Sequence, residues 1–376
     1  MEKTSSSFIP TIYAESVADF LNLISKRNEI WHENNTKENF WIYRGQWETS
    51  GKLFSLLPSS LRKNKAYQRI KEKILVEARA WHPIDSFAKN ITKSLKAERK
   101  NKSNKEKYKE QYGFYFGKIE EKTRQHLENI VVQSMIELTL IQRFVETCNK
   151  SALYIDDSHV TIEYKILDRA LRIKEEEAKF KLHEIAEKWL GELQLLERIS
   201  CVKSYQPFFD YTNYYPLALA QHSGIPSRLL DWTYSPLIAA FFAIPKPHQS
   251  NKGEIGVYAF NMRYQRDPLV YRNSLRIHSK TKHHRFDFLH AQKGIFTEMR
   301  GADFYYLKYG KWPSLDEHIL EFDEYAADTK DLSNLKKIAL DGKFSDELRN
   351  ELAEEDIVKS ILMPTYFHCA DQIMDK

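Results

Sequence analysis

"YYPLALAQHSGIPSRLLDWTYSPLIAAFFAIP", residues 214–245, sets Gln221, His222, Arg228, Asp231 and Trp232 between two apolar runs. The first run, "PLALAQH", has helical spacing. "RLLDW" is a short apolar run that ends in polar groups. In "SPLIAAFFAI", Ser235 stands in the capping place and Pro236 at the first turn, which opens a second helix. A single polar residue at such a joint would read as a local cap. Five crowded together read as the lining of a site, and the free N–H groups at the start of the second helix suit an anion. Asp231 as a cap with Arg228 as its ion-pair partner is the structural alternative.

Outward from this stretch the pattern changes twice. Upstream, "AESVADFLNLISKRNE" (14–29) predicts an amphipathic helix, and "FWIYRG" (40–45) a short strand closed by a turn at Gly45. "LFSLLPSSLRK" is broken at Pro58, with Ser59 and Ser60 placed to cap a helix near Leu61. From about 66 to 200 Gly and Pro almost vanish, and three long stretches show helical apolar spacing. Within that region "KSLKAERKNKSNKEKYKEQ" (93–111) is Lys-rich: either a solvated loop or a basic arm that touches phosphates. Downstream, "GEIGVYAFN" and "KGIFTEM" predict strands, the chain turns helical again from Ser314, and "IVKSILMPTYF" predicts a helix-to-strand closing unit. The sum is an α+β protein with a small sheet assembled from distant pieces.

The 376 residues allow one large domain or two ordinary ones, and 42% apolar residues supply a core. A net charge of +5 permits an acidic partner without demanding one. Cys148, Cys201 and Cys369 are odd in number and far apart, which argues against a disulfide framework or a zinc ribbon. The N-terminus "MEKTSSSFIP" lacks an apolar signal core, and no apolar run approaches membrane-spanning length. The expectation is a cytoplasmic protein with no membrane contact. Walker, Rossmann and nucleophile-elbow signatures are absent, as is HExxH. Adjacent His283 and His284 in "KTKHHR" point apart in an extended chain, so no metal is expected.

Three polar clusters remain. Tyr43–Arg44–Gly45–Gln46 ends a predicted strand; Arg44 can hold a phosphate or carboxylate through two parallel hydrogen bonds, and Gly45 lets a ligand approach the backbone. The alternative for Arg44 is an ion pair with a buried acid such as Asp231. The second cluster is the 214–245 stretch itself. The third is "HAQKGIFTEM" (290–299), where Gln292 precedes a strand and Glu298 lies within it. Upstream of it "YRNSLRIHSKTKHHR" (271–285) holds Arg, Lys and His with no acid, a candidate phosphate-facing loop or a solvated one.

At these clusters the sequence resembles the FRG domain family, named for an aromatic-Arg-Gly motif. "YRGQ", "LLPSSLRK", "LALAQHSGIPSRLLDWTYSPLIAAFFA" and "AQKGIF" carry the resemblance, over about residues 38–63 and 205–300. Tyr43 stands for the eponymous Phe, and Ser227 for the usual Thr. The resemblance implies a division into 1–65 (N-terminal helix and first part of the core), 66–205 (a helical insertion) and 206–376 (second part of the core with C-terminal helices). More distantly, the order of parts is similar to ADP-ribosyltransferases of the Arg-Ser-Glu type. Arg44 matches the early-strand Arg; Asp231–Trp232–Thr233 before "IAAFFA" matches the Ser/Thr strand; Gln292 or Glu298 matches the later Glu. Asp-Trp-Thr stands where that family has Ser-Thr-Ser, and there is no Glu-x-Glu.

That second resemblance implies a small split sheet of ADP-ribosyltransferase type and NAD as a substrate, with no metal. Arg44, His222, Asp231, Gln292 and Glu298 would carry catalysis. Tyr43, Arg44, Gln221, Arg228, Trp232 and Thr233 would bind the dinucleotide, an aromatic ring stacking on nicotinamide. The implied activity is transfer of ADP-ribose to nucleic acid, RNA foremost, or to protein, by a toxin of antiphage defence or of a toxin–antitoxin pair with an antitoxin partner. A nuclease using Arg44, His222, Arg228 and Asp231, and a non-catalytic binding module whose polar groups fix the fold, are the rival readings.

Overall fold

A computed structural model of the chain describes residues 9–32, 40–48, 56–61, 72, 121–155, 215–245, 253–262, 275–278, 287–299, 302–322 and 334–374. The Lys-rich stretch 93–111, His283, His284, Cys201 and most of 66–205 lie outside the described residues. The fold is α+β. Its seven strands are β1 (Thr11–Ala14), β2 (Trp41–Glu48), β3 (Leu229–Thr233), β4 (Glu254–Asn261), β5 (Leu275–His278), β6 (Gly294–Met299) and β7 (Leu335–Asp341). They form one sheet in the order β1-β7-β4-β2-β3-β6-β5. β1 runs parallel to β7, while β4 is antiparallel to both β7 and β2, and β2 is antiparallel to β3.

The helices used below are α1 (Val17–Ile24), α2 (Glu121–Lys150), α3 (Tyr215–His222), α4 (Pro236–Ala243), α5 (Asp287–Ala291), α6 (Ala302–Tyr309), α7 (Leu315–Phe322), α8 (Ser345–Glu354), α9 (Lys359–Leu362) and α10 (Tyr366–Met374). Two compact units divide the chain. One comprises Met1–Leu57, Leu230–Glu298 and Ser314–Lys376; the other comprises Pro58–Leu229 and Met299–Pro313.

In the first unit, one face of the sheet carries the core. Tyr43, Ile255, Val257, Ala259, Ile338 and Leu340 alternate along their strands and meet Val17, Phe20 and Ile24 of α1, Ala239, Ala240 and Ala243 of α4, and Leu348 and Leu352 of α8. Ser16 caps α1 by accepting a hydrogen bond from the Asp19 N–H at 3.1 Å. The small residues of α4 let it lie directly on β2. A Cβ on Gly45 would collide with the Ala239 carbonyl and stand 2.8 Å from the Ala243 nitrogen. Gly45 therefore makes room for a helix backbone and not for a ligand. The predicted turn there is corrected too: β2 runs straight through Gly45 to Glu48.

Other expectations shift similarly. The helix predicted over 14–29 is confined to Val17–Ile24, and Ser59–Leu61 forms a 3₁₀ turn. Ser235 makes no side-chain cap; its N–H donates to Thr233 Oγ1 at 3.0 Å, so the capping hydroxyl comes from β3. The end of the chain forms α9 and α10, with no closing strand there. The strands missed by the sequence reading are β1, β5 and β7: β5 lies within 271–285, which reads as a loop, and β7 within the region that reads as helical from Ser314.

The second unit is helical in its described residues. α2 packs against α3 and α6, burying Ile130, Ile136, Ile141 and Val145. "LLPSS" and "IPSRLL" meet in it: Ser60 N–H donates to the Ser227 carbonyl at 3.1 Å, and Ser227 N–H to Ser59 Oγ at 3.1 Å.

Candidate functional site

Period-2 alternation turns Arg44, Gln46 and Glu48 of β2 to the sheet face opposite the core. Unbroken pairing with β4 sets Phe260 opposite Ile42, Tyr258 opposite Arg44, Gly256 opposite Gln46 and Glu254 opposite Glu48. β7 adds Lys337, paired with Tyr258. The face is apolar at the Ile42–Phe260–Leu335 end and polar from Arg44 onward.

At the polar end Lys337 Nζ donates to Glu48 Oε2 at 2.7 Å and to Glu254 Oε1, and Tyr258 OH donates to Glu48 Oε1. Two carboxylates directly across a ladder repel, and Lys337 offsets that repulsion from between them. Burial alone would lower the Lys337 pKa, but its hydrogen bonds to Glu254 and Glu48 outweigh burial and raise it above the ordinary lysine value. Gly256 leaves space for the lysine stem: a Cβ there would stand 3.1 Å from Lys337 Cε.

Arg44 reaches the neighbouring strand. Its Nη1 donates to Asp231 Oδ1 at 2.5 Å and to the Asp231 carbonyl at 2.8 Å. The two partners differ in access: the Arg44 side chain is 11% exposed and that of Asp231 62%. A largely buried guanidinium thus anchors a carboxylate that remains open to solvent. The pairing foreseen as a structural alternative exists, but its acid is exposed rather than buried.

The remaining expected residues of this unit are placed by β3 and β6. Thr233 Oγ1 donates to the Gln292 carbonyl at 2.7 Å, Tyr234 N–H donates to the Lys293 carbonyl at 3.0 Å, and Gln292 Nε2 donates to the Leu362 carbonyl of α9 at 3.1 Å. Lys293 has φ 49°, a left-handed conformation that a non-glycine residue adopts at a cost. Trp232 Nε1 donates to Thr297 Oγ1 at 2.8 Å, and its ring lies 6.0 Å from Phe260. Trp232, Thr233 and Glu298 are 3%, 5% and 2% exposed, and Tyr43 sits in the core beside Trp31. These four side chains present no stacking or hydrogen-bonding surface to solvent.

Gln221, His222 and Arg228 belong to the second unit. His222 is exposed at the end of α3. Gln221 Oε1 accepts from Ser227 Oγ. Arg228 is buried: its Nε donates to Glu137 Oε2 at 2.6 Å, its guanidinium lies 5.3 Å from the Trp312 ring centre, and Gln133 Nε2 braces Glu137 Oε1 at 2.6 Å. Arg228 is thereby engaged by a buried acid and an aromatic face.

Sequence reasoning named Arg44 and Asp231 but missed Glu48, Glu254, Tyr258 and Lys337. The signal was the alternation itself: "RGQWE" puts polar side chains at every second position, and "EIGVY" puts Glu254 and Tyr258 in the same phase on either side of Gly256. Among the described residues no group of three or more His, Cys, Asp or Glu could hold a metal, and no helix is long and apolar enough to cross a membrane.

An α+β protein with one polar sheet face, anchored by an arginine–aspartate pair, is the class these features define. Residues 160–252 match the FRG domain, about a quarter of the chain, and the protein is thus one that carries FRG-domain sequence. The match contains the 214–245 stretch and reaches neither "YRGQ" nor "AQKGIF". No curated protein and no solved structure matches the chain.

Proposed function

We propose that the protein is an NAD-dependent ADP-ribosyltransferase whose site is built on β2, β3 and the start of β6. The observation that carries this reading is their adjacency. These three strands, distant in sequence, are consecutive in the sheet, and on the first two Arg44 holds the exposed Asp231 carboxylate. The order of parts that resembles the Arg-Ser-Glu enzymes is thus also an order in space.

In the proposed reaction the bond between ribose C1′ and the nicotinamide nitrogen breaks, and its electron pair leaves with nicotinamide. The ribose carries the resulting positive charge. Asp231 faces that charge, and a carboxylate fixed in place before the reaction stabilises it without reorganising. A nucleophilic atom of the acceptor then bonds to C1′, and its proton passes to Asp231. Arg44 holds Asp231 in position and offers its remaining N–H groups to the pyrophosphate. Gln292, braced by Leu362, lines the acceptor side. The acceptor is nucleic acid, with RNA favoured, or protein, and the setting is antiphage defence or a toxin–antitoxin pair; both rest on family analogy.

A second reading, a non-catalytic binding module, draws support from the burial of Trp232, Thr233, Glu298 and Tyr43. Incubation with NAD labelled in the adenylate half separates the two. Release of nicotinamide with label on an acceptor supports transfer; a folded protein that releases none supports the binding module.

A further inference from the structure

We propose that Gln46 is a ligand-reading residue: it pairs with a planar edge that sets an NH₂ donor beside an acceptor. Such an edge occurs in two parts of NAD, the nicotinamide carboxamide and the adenine ring, so the inference deepens the function proposed above and rests on it.

Two buried polar atoms at neighbouring positions of the stripe have no partner among the described residues. Gln46 Oε1 is an acceptor that receives no hydrogen bond, and Arg44 Nε is a donor that gives none. Buried polar groups are paired in the great majority of native structures, and an orphan calls for a specific cause. Here two occur on one face, two residues apart, about 7 Å along the strand. They flank the peptide of Gly45, whose own side is filled by α4. The residue across the ladder from Gln46 is Gly256, which brings no side chain to meet the amide.

Neighbouring groups of the same face are satisfied. Glu48, Glu254, Tyr258 and Lys337 are bonded to one another, so the face is not carelessly packed. The gap is confined to Gln46 and the Nε side of Arg44. A side-chain amide offers one acceptor and an NH₂ donor in a plane, which complements a carboxamide or the amino edge of adenine in two parallel bonds. A bare phosphate supplies no donor for Oε1 and would leave it orphaned. Arg44 Nε then meets an acceptor on the same ligand, while Nη1 keeps Asp231.

The test is a binding titration of the full chain with NAD, nicotinic acid adenine dinucleotide and nicotinamide hypoxanthine dinucleotide. The second lacks the carboxamide NH₂ and the third the adenine NH₂. The wild type is expected to bind NAD about tenfold more tightly than one of the two analogues, which identifies the edge that Gln46 reads. Gln46→Ala is expected to erase that preference without lowering the melting temperature, because a buried acceptor with no partner stabilises nothing in the fold. Gln46→Glu keeps the volume and provides a second variant. If the nicotinamide edge is read, it rejects the carboxylate analogue more strongly than the wild type does. Retention of the wild-type order of the three ligands by both variants overturns the inference and leaves the proposed activity standing. A wild type that binds NAD without discriminating between the analogues does the same. A folded wild type that binds neither NAD nor ADP-ribose overturns both.

Discussion

Arg44 and Asp231 are 187 residues apart in sequence, yet Arg44 Nη1 meets both the carboxylate and the carbonyl of Asp231, at 2.5 and 2.8 Å. One donor thereby fixes a side chain and the backbone of the adjacent strand together. A guanidinium does this where an ammonium would not, because its N–H groups keep fixed directions. Since the Asp231 side chain is 62% exposed, solvent screens the ion pair and its contribution to stability is small. Asp231→Asn should lower stability by less than about 1 kcal/mol while removing the charge the reaction needs. Paired thermal melts and nicotinamide-release assays check this; a large loss of stability with activity retained would make Asp231 a purely structural residue.

Gly45 tests the packing of α4 on β2. Any side chain there must enter the backbone of the helix at Ala239 and Ala243, where no rotamer change relieves it. Gly45→Ala should cost roughly 3 kcal/mol or more, seen as a lower denaturation midpoint or loss of folded protein. Gly224→Ala is the control. Gly224 has φ 91° and open space around its missing Cβ, so only conformational strain applies, about 1 kcal/mol. Equal effects at the two positions would mean that α4 does not lie on β2 as described.

Lys337 holds two carboxylates together. Lys337→Met should cost about 3–5 kcal/mol, because it leaves Glu48 and Glu254 facing each other half-buried. Adding Glu48→Gln and Glu254→Gln should recover much of that loss. The sign of the pH dependence follows from the raised Lys337 pKa. The folded state holds this proton more tightly than the unfolded chain. The stabilisation is therefore complete below the ordinary lysine value of 10.5 and is lost as pH rises through the higher folded value. Melts of wild type and Lys337→Met should converge across that range and stay apart near neutral pH. A gap that does not change with pH would contradict the network.

Trp232 is held by one hydrogen bond to Thr297. Thr297→Val keeps the shape and strands a buried indole N–H, at a cost of about 1–3 kcal/mol. A neutral result in chemical denaturation would show that Trp232 has another partner in solution.

Much of this was legible in the sequence because the local signals agree with the fold. "PLALAQH", "GEIGVYAFN" and "GIFTEM" are α3, β4 and β6 nearly to the residue. β7 was hidden by its charges. "LKKIALD" falls in the region that reads as helical from Ser314, and only the structure shows it as a strand, with Lys337 buried between two acids and Lys336 with its ammonium 4.8 Å from the Trp41 ring. β1 has four residues, too few for a period to register. Gly45 read as access for a ligand because a sequence does not show what lies across a sheet. Arg228 and Arg44 stand in similar motif contexts, and only tertiary structure separates the one buried against Glu137 from the one anchoring an exposed acid.

The most direct test of the central claim is nicotinamide release from NAD by the purified full chain with cell extract as the source of acceptor. Wild type should release nicotinamide and label an acceptor, while Arg44→Ala and Asp231→Asn, shown to be folded by their melts, should lose at least a hundredfold in rate, the scale of one preorganised electrostatic contact. No release by folded wild type, or release undiminished in both variants, would contradict the account.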